Sequence, residues 1–236
     1  MATKAAPARA AGATRLAYFD DMWALRSSAT VVAVSQEESG RRAVVLDATV
    51  FHPQGGGQPA DAGVISAAGA RFLVEDVRAR DGVVFHYGRF EDAGDGGKSD
   101  FSVGHTVILQ VDAERHNLNS RQELELAFVE YKGVIPPDQL QDKQSQLEKE
   151  ANELISKGAK VLASVFPYEE AAQLCGGDLP NYISKDSTPR IVKFGDHPGC
   201  PCGGTHVADI SIINNLKVTN IRVKKGITKI SYSISP

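Results

Sequence analysis

The chain has 236 residues, of which 42% are hydrophobic, so it can form one large domain or two small ones around a buried core. Its formal net charge of −3 excludes a global basic field for nucleic acid, although a local patch would suffice. Three cysteines, an odd number, argue against a disulfide framework and fit a reducing compartment such as the cytoplasm. No apolar run reaches the roughly 18 residues of a membrane-spanning helix.

The N-terminal stretch is rich in alanine and basic before its first acidic residue. Lys4, Arg9 and Arg15 precede Asp20. This composition is mildly typical of an organelle-targeting peptide, but the serine-rich amphipathic helix of such peptides is missing. We therefore predict a disordered tail at residues 1–18 and leave an organelle address open.

Residues 19–112 contain six short apolar runs of the kind that form β-strands. Turns rich in glycine and aspartate separate them, the longest being EDAGDGGKSD. Several short strands with regular turns predict a small barrel or a sandwich. The runs are SATVVAVS, RAVVLDATVF, AGVISA, RFLVEDVRA, GVVFHYG and HTVILQVD.

Three consecutive glycines lie in the stretch FHPQGGGQPADAG, residues 51–63. This stretch lacks the G-x-x-x-x-G-K-[ST] pattern of a phosphate-binding loop. It also differs from a dinucleotide fingerprint, because Pro59 follows where a helix should begin. Two interpretations remain: a plain tight turn, or a row of backbone N–H groups that holds an oxyanion or the sugar-phosphate end of a ligand.

The character of the chain changes after residue 112. Prolines at 136 and 137 and a glycine at 158 are typical limits of a helix. The apolar side chains between these limits recur at helical spacing and are interpreted as core rather than as a cofactor site; they are Leu140, Leu147, Ala151, Leu154 and Ile155. Further strand-like runs follow, namely RIVKFG, VADISII, KVTNIRVKKG and ITKISYSIS.

A second informative stretch is PGCPCGGTHV, residues 198–207. Cys202 and His206 are spaced C-x-x-x-H, and thiolate and imidazole are good ligands for zinc. The glycines between them would let a short loop bring both side chains toward one ion. Two ligands do not complete a tetrahedral site, so a buried cysteine beside a core histidine is the alternative interpretation.

Taken together, LDATVFHPQGGGQPADAG and PCGGTHV resemble the editing domain of alanyl-tRNA synthetase. More closely, they resemble the free-standing alanyl-tRNA editing proteins of the AlaX type, as do VDAERHNLNSR and FVEYKG. The resemblance implies an α+β fold. A glycine-rich, β-barrel-like domain at residues 19–112 would precede, at 113–236, the second additional domain shared by threonyl- and alanyl-tRNA synthetases.

The resemblance implies hydrolysis in trans of serine, and in some members glycine, wrongly attached to tRNA(Ala). A bound zinc would position the aminoacyl ester. Thr49 matches the family threonine that hydrogen-bonds the serine hydroxyl, although without the family it would be an ordinary strand residue. The stretch expected to face the terminal adenosine and the aminoacyl group consists of Gln54, Gly55, Gly56, Gly57 and Gln58.

The sequence departs from the family at the zinc ligands. In the family, an H-x-x-x-H pair on a central helix joins the C-x-x-x-H pair. Here no two histidines are four residues apart, and only QELELA separates LNSR from FVEYKG, so the chain is internally shortened near 121–128. The histidines are His52, His86, His105, His116, His197 and His206.

A complete ligand set holds structural zinc by about 10–16 kcal/mol, and the loss of two ligands removes most of this. Cys200, His197 and His116 are the candidates that could replace the missing pair. His52, His86 and His105 are interpreted as structural or surface residues, because they lie among strand-like runs.

Five basic residues with no acidic residue between them lie at 217–229. They form either a solvated strand face or a patch that contacts phosphates, and the resemblance favours tRNA. Two functions stay open: a zinc-dependent aminoacyl-tRNA hydrolase, or a metal-deficient protein that only binds tRNA. No ATP-binding signature is found, so we expect no aminoacylation. The tRNA-contacting residues are expected to be Lys217, Arg222, Lys224 and Lys225.

Overall fold

The computed structural model of the chain describes residues 12–37, 40–67, 69–91, 100–121 and 127–235. The helices are α1 (Ala113–Arg121), α2 (Leu140–Lys157) and α3 (Tyr168–Leu174). The strands are β1 (Arg15–Leu16), β2 (Arg26–Gln36), β3 (Arg42–Leu46), β4 (Ala48–Thr49), β5 (Gly63–Ala67), β6 (Ala70–Arg80), β7 (Val83–Phe90), β8 (Thr106–Val111), β9 (Phe128–Lys132), β10 (Val161–Val165), β11 (Arg190–Phe194), β12 (Cys200–Pro201), β13 (Asn215–Lys224) and β14 (Ile227–Ser235).

Six strands of the first half close into a barrel in the order β2-β3-β7-β6-β5-β8. All neighbouring strands are antiparallel. Closure leaves no open edge for another chain to pair with. The interior is filled by large apolar side chains, among them Val31, Val44, Leu46, Phe51, Ile65, Phe72, Val77 and Leu109. The predicted small barrel is confirmed, as is the α+β class.

Strand β6 shows how the sequence pattern produces the barrel wall. Ala70, Phe72 and Val74 are buried at every second position, as a strand with one inward face requires. A register shift between Val74 and Asp76 then moves the buried position to Val77. Such a bulge adds one residue and turns the following side chains to the other face. The alternation of buried and exposed residues is therefore interrupted once in the sequence of β6, although the strand keeps side chains in the barrel interior on both sides of the bulge.

Residues 12–18 correct the prediction of a disordered tail at 1–18. Strand β1 pairs in parallel with β4. The Thr14 hydroxyl donates to the Leu46 carbonyl at 3.0 Å, and Tyr18 is buried. Burial of Tyr18 and the pairing of β1 with β4 outweigh the alanine-rich composition that suggested disorder. Residues 1–11 lie outside the described residues, as does most of the shortened segment near 121–128.

The second half contains two small antiparallel sheets, ordered β10-β11-β12 and β13-β14-β9. Helix α2 confirms the predicted helix and ends at Gly158, whose φ is 68°. It packs Leu140 and Leu147 against Val218 and Ile221 of β13. This apolar contact joins the helix to the sheet, as the interpretation of the apolar stripe as core requires.

Helix α2 also satisfies the backbone of β13. Gln144 donates to the Val218 carbonyl at 2.7 Å, and the Val218 N–H donates to Glu148 at 2.9 Å. The Asn152 amide exchanges two hydrogen bonds with Leu216, at 2.7 and 2.9 Å. An edge strand exposes unpaired backbone groups, and here polar side chains of the helix occupy them.

The run VADISII differs from its predicted strand. Ile210–Ile212 form a 3-10 turn, because the Asp209 carboxylate accepts from the Ser211 N–H and caps it. None of the helices in the described ranges combines the length and the hydrophobicity needed to cross a membrane.

Candidate functional site

The glycine stretch and the first part of the C-G-G-T-H stretch form two walls of one cleft of about 1070 Å³, whereas His206 lines a separate cavity. Residues 52–58 line one wall, and residues 201–204 line the other. Tyr18 and Arg190 are among the other residues that line it. We call this the glycine cleft. Two segments that are about 150 residues apart in sequence thus face one space.

The glycine run itself is a two-residue reverse turn. Gly55 and Gln58 exchange backbone hydrogen bonds of 3.1 and 2.9 Å. Between them Gly56 and Gly57 have φ of 58° and 89°. Two successive positive φ values characterise the tight hairpin turn in which glycine is strongly preferred. Of the two interpretations, the tight turn is confirmed as geometry, and contact of Gln54–Gln58 with a ligand stays a prediction.

Gln58 joins the two walls of the cleft. Its amide nitrogen donates to the Thr205 hydroxyl at 2.8 Å, and its amide oxygen accepts from the Thr205 N–H at 3.1 Å. Ser120 of α1 lies 2.9 Å from the same hydroxyl. A Cβ at Gly204 would lie 2.6 Å from the Gln58 amide oxygen, so only glycine leaves room for this contact. The link fixes the position of the C-G-G-T-H loop against the barrel.

Cys202 and His206 face each other across this loop. The Nε2 atom of His206 lies 3.3 Å from the Cys202 sulfur. Trp23 donates from its indole nitrogen to the His206 carbonyl at 3.0 Å. Burial, and then the charges of Arg190 and His52, lower the pKa of His206 to about 4. The imidazole is therefore neutral at pH 7, which is the form that binds metals.

The Cys202–His206 pair has the spacing of half a zinc site. A tetrahedral ion would separate a thiolate sulfur and an imidazole nitrogen by about 3.6 Å, close to what is seen. Among the described residues, however, no cluster of three or more His, Cys, Asp or Glu side chains is placed to hold a metal ion. The residues present do not fit a complete zinc site, and zinc stays a prediction.

The three candidate replacements are positioned for other contacts. Both ring nitrogens of His116 are engaged, one by Asp61 and the other by the Met22 carbonyl at 3.1 Å. His197 is exposed and packs on the Phe194 ring, and the Cys200 thiol is exposed. None of these side chains joins Cys202 and His206 as a third ligand.

Thr49 lies inside the barrel and is fully buried. Its hydroxyl donates to His86 Nε2 at 2.8 Å and accepts from the Phe51 N–H at 3.0 Å. His86 Nδ1 donates to the Val44 carbonyl, and burial lowers the pKa of His86 to about 4. Thr49 is not among the residues that line the glycine cleft. Its contact with a serine hydroxyl therefore stays a prediction without a geometric counterpart here.

Sequence reasoning missed a buried polar network beneath the cleft. The Asp61 carboxylate accepts from the His52 N–H at 2.8 Å and from His116 Nδ1 at 3.1 Å. Burial alone would lower the pKa of His116, but the hydrogen bond and charge of Asp61 outweigh it and raise that pKa. Asp61 belongs to the quoted motif FHPQGGGQPADAG, so its position was the available signal. No sequence pattern indicated its partner His116, which is 55 residues away.

The basic residues expected to contact tRNA form one strip. Lys217, Arg222 and Lys224 are exposed on β13, on the face opposite the buried Val218 and Ile221. Lys225 is exposed in the turn that follows. Lys229 pairs across from Arg222, and its ammonium lies 3.3 Å from the centre of the Phe128 ring. The tRNA contact of this strip, Lys217, Arg222, Lys224 and Lys225, stays a prediction.

Comparisons with known proteins agree with this arrangement. Residues 7–115 match the family model "tRNA synthetases class II (A)". Residues 190–231 match "Threonyl and Alanyl tRNA synthetase second additional domain". The first match covers the barrel, and the second runs from β11 through the C-G-G-T-H loop into β14.

Individual relatives cover most of the chain. An alanine–tRNA ligase of Halobacterium salinarum is 31% identical over 93% of the chain and 26% of the ligase. An alanyl-tRNA editing protein, AlaX-L, of Pyrococcus horikoshii is 29% identical over 92% of the chain and 57% of that protein. The chain thus spans about a quarter of the ligase and just over half of the editing protein. The resemblance inferred from the two motifs is confirmed: the chain is a homologue of alanine–tRNA ligases and of an alanyl-tRNA editing protein over nearly its whole length.

Proposed function

We propose that the chain receives the aminoacylated 3′ end of mischarged tRNA(Ala) in the glycine cleft and hydrolyses its serine or glycine ester in trans. The observation that carries this proposal is the pair of hydrogen bonds between Gln58 and Thr205. They hold the two motifs that define the resemblance as opposite walls of one space. The name of the relative from Pyrococcus horikoshii, an alanyl-tRNA editing protein, supplies the substrate class.

The cleft is suited to a nucleotide-sized ligand. Its volume of about 1070 Å³ lies at the upper end of small-molecule sites. Gly55, Gly56 and Gly57 are exposed on its wall and carry no side chain, so a ligand can approach their backbone closely. The basic strip on β13 offers cations for the phosphates of the same RNA.

A second candidate function is tRNA binding without hydrolysis. It is favoured by the ligand set, because Cys202 and His206 would hold only two of the four positions of a zinc ion. A complete zinc centre would supply Lewis acidity to the ester, and we derive no step of the reaction through it. The cytoplasm is the proposed compartment, since the three cysteines are free.

Deacylation assays with Ser-tRNA(Ala), Gly-tRNA(Ala) and Ala-tRNA(Ala) test both candidates. The full chain is assayed with and without added zinc, and tRNA binding is measured on the same preparation. Cys202→Ser removes one half-site ligand, and Cys200→Ser is the matched control at an exposed thiol two residues away.

Each outcome of these assays selects one candidate or excludes both. Hydrolysis of the serine or glycine ester that Cys202→Ser abolishes and Cys200→Ser retains supports the editing enzyme. Binding without hydrolysis supports the second candidate. A chain that neither binds tRNA(Ala) nor hydrolyses either ester contradicts both.

A further inference from the structure

Arg190 is a buried cation whose terminal nitrogens contact only neutral acceptors. Its side chain is 5% exposed at the start of β11 and lines the glycine cleft. One terminal nitrogen donates to the Cys202 and Gly204 carbonyls at 2.8 and 2.9 Å, and the other to the Met22 sulfur at 3.2 Å. The Nε–H of Arg190 has no partner within the described ranges. A buried charge without a counter-ion is costly, so an anion bound beside Arg190 would be stabilising.

No protein carboxylate fills that position. Asp61 is the only buried acidic residue among those described, and it is fully buried. Its carboxylate is engaged by His116, whose raised pKa reflects that pairing. The Asp61 carboxylate thus accepts from His116 and from the His52 N–H, and neither contact involves Arg190.

Two further polar side chains lie beside Arg190, and one of them has a buried nitrogen without a partner in the described part of the chain. His52 is 4% exposed, and its Nδ1 atom has no hydrogen-bond partner among the described residues. Tyr18 is 3% exposed and packs edge-on against the His52 ring, with 5.4 Å between centroids. All three side chains line the glycine cleft.

We propose that Arg190, Tyr18 and His52 form an anion-binding site in the glycine cleft, and that its ligand is a phosphate oxygen of a single-stranded RNA 3′ end. Arg190 Nε–H and the Tyr18 hydroxyl donate to the anion. His52 joins them through Nδ1–H when the anion stabilises its protonated form. One bound oxyanion thus satisfies the two buried nitrogen atoms of this site that lack partners among the described residues, Arg190 Nε and His52 Nδ1. The RNA as source of the phosphate rests on the proposed function; the anion site rests on the three side chains.

Titration with inorganic phosphate tests the site directly. The Nε–H signal of Arg190 is followed by ¹⁵N NMR of the full chain and assigned by its disappearance in Arg190→Lys. We expect a saturable shift. A charge-assisted hydrogen bond of about 1.5 kcal/mol corresponds to roughly tenfold in affinity, so Tyr18→Phe is expected to weaken phosphate binding by about that factor.

Tyr182→Phe is the matched control, because Tyr182 lines the same cleft but is 83% exposed. It is expected to leave phosphate affinity unchanged. Thermal unfolding confirms that both variants fold. A shift that does not saturate, or an equal effect of Tyr18→Phe and Tyr182→Phe, overturns the site.

Two further probes identify the source of the anion. The trinucleotide CCA, which ends tRNA molecules, is expected to displace phosphate from Arg190, whereas free serine is not. Displacement by serine alone would overturn the phosphate assignment in favour of the amino-acid carboxylate. If the chain hydrolyses Ser-tRNA(Ala) or Gly-tRNA(Ala) while phosphate leaves the Arg190 signal unmoved, this inference fails and the proposed function stands. The reverse result, a phosphate site in a chain that does not bind tRNA(Ala), contradicts the proposed function and RNA as the source of the phosphate, but not the anion site.

Discussion

Replacing Gln58 by alanine removes the connection between the two motifs. The change deletes both hydrogen bonds to Thr205, which is fully buried. Ser120 still reaches the Thr205 hydroxyl, but the Thr205 N–H is left without a partner. Each lost bond is worth about 0.5–1.5 kcal/mol, and the orphaned N–H adds to the loss. We expect the free energy of unfolding to fall by about 2–3 kcal/mol.

Urea unfolding of the full chain, followed by fluorescence, measures this loss. Trp23 is the only tryptophan and donates to the His206 carbonyl, so its emission reports on the same loop. Gln54→Ala is the control: Gln54 is exposed on the neighbouring turn, and a change below about 0.5 kcal/mol is expected.

A double-mutant cycle with Thr205→Ala isolates the contact itself. Residues that share hydrogen bonds couple by about 0.5–3 kcal/mol, whereas independent residues add. The reasoning is refuted if Gln58→Ala costs no more than Gln54→Ala, or if the coupling with Thr205→Ala is close to zero.

Four other outcomes are expected. Burial lowers the pKa of His86 from 6.5 to about 4, so the contribution of His86 to stability is present above pH 6.5 and is lost as the pH falls toward 4. When the free energy of unfolding is measured against pH, His86→Gln should make its decrease between pH 6.5 and 4 less steep. The pKa of His116 is raised, so the contribution of His116 to stability is present below pH 6.5 and is lost as the pH rises through the raised pKa. His116→Gln should make this decrease in the free energy of unfolding less steep, and an unchanged decrease would refute the pairing with Asp61. Single replacements by glutamine at Lys217, Arg222, Lys224 or Lys225 should each weaken tRNA binding and make it less dependent on salt. Lys149→Gln on the exposed face of α2 removes the same charge and should do neither; equal effects would assign the binding to net charge alone. Metal analysis after dialysis should find well below one zinc per chain, and one tightly held equivalent would show that a third and a fourth ligand exist.

The barrel could be predicted because its strands alternate buried and exposed positions within short segments. In β6 this alternation is recognisable on both sides of a bulge. The limits of α2 could be predicted as well, because the two prolines before it and Gly158 after it are local signals in the sequence. Strand β9 gave no such signal, since all five of its residues are exposed. The run VADISII has strand-like composition, but the carboxylate of Asp209 decides its conformation.

The site was only partly accessible from the sequence. Cys202 and His206 were brought together as their spacing predicted, because both lie on one short loop. Gln58 and Thr205 are 147 residues apart, and no local pattern records their contact. Arg190 was likewise missed, because an arginine at the start of an apolar run is usually exposed and its burial depends on the whole fold.

Photocrosslinking the RNA 3′ end tests the central claim most directly. A tRNA(Ala) acceptor-stem RNA with a photoreactive 3′-terminal adenosine is bound to the full chain and irradiated, and the crosslinked peptides are identified by mass spectrometry. The account predicts crosslinks within residues 53–58 and 201–204, on the two walls of the glycine cleft. Crosslinks confined to the outer strands of the barrel, with these two segments unmodified, would contradict it.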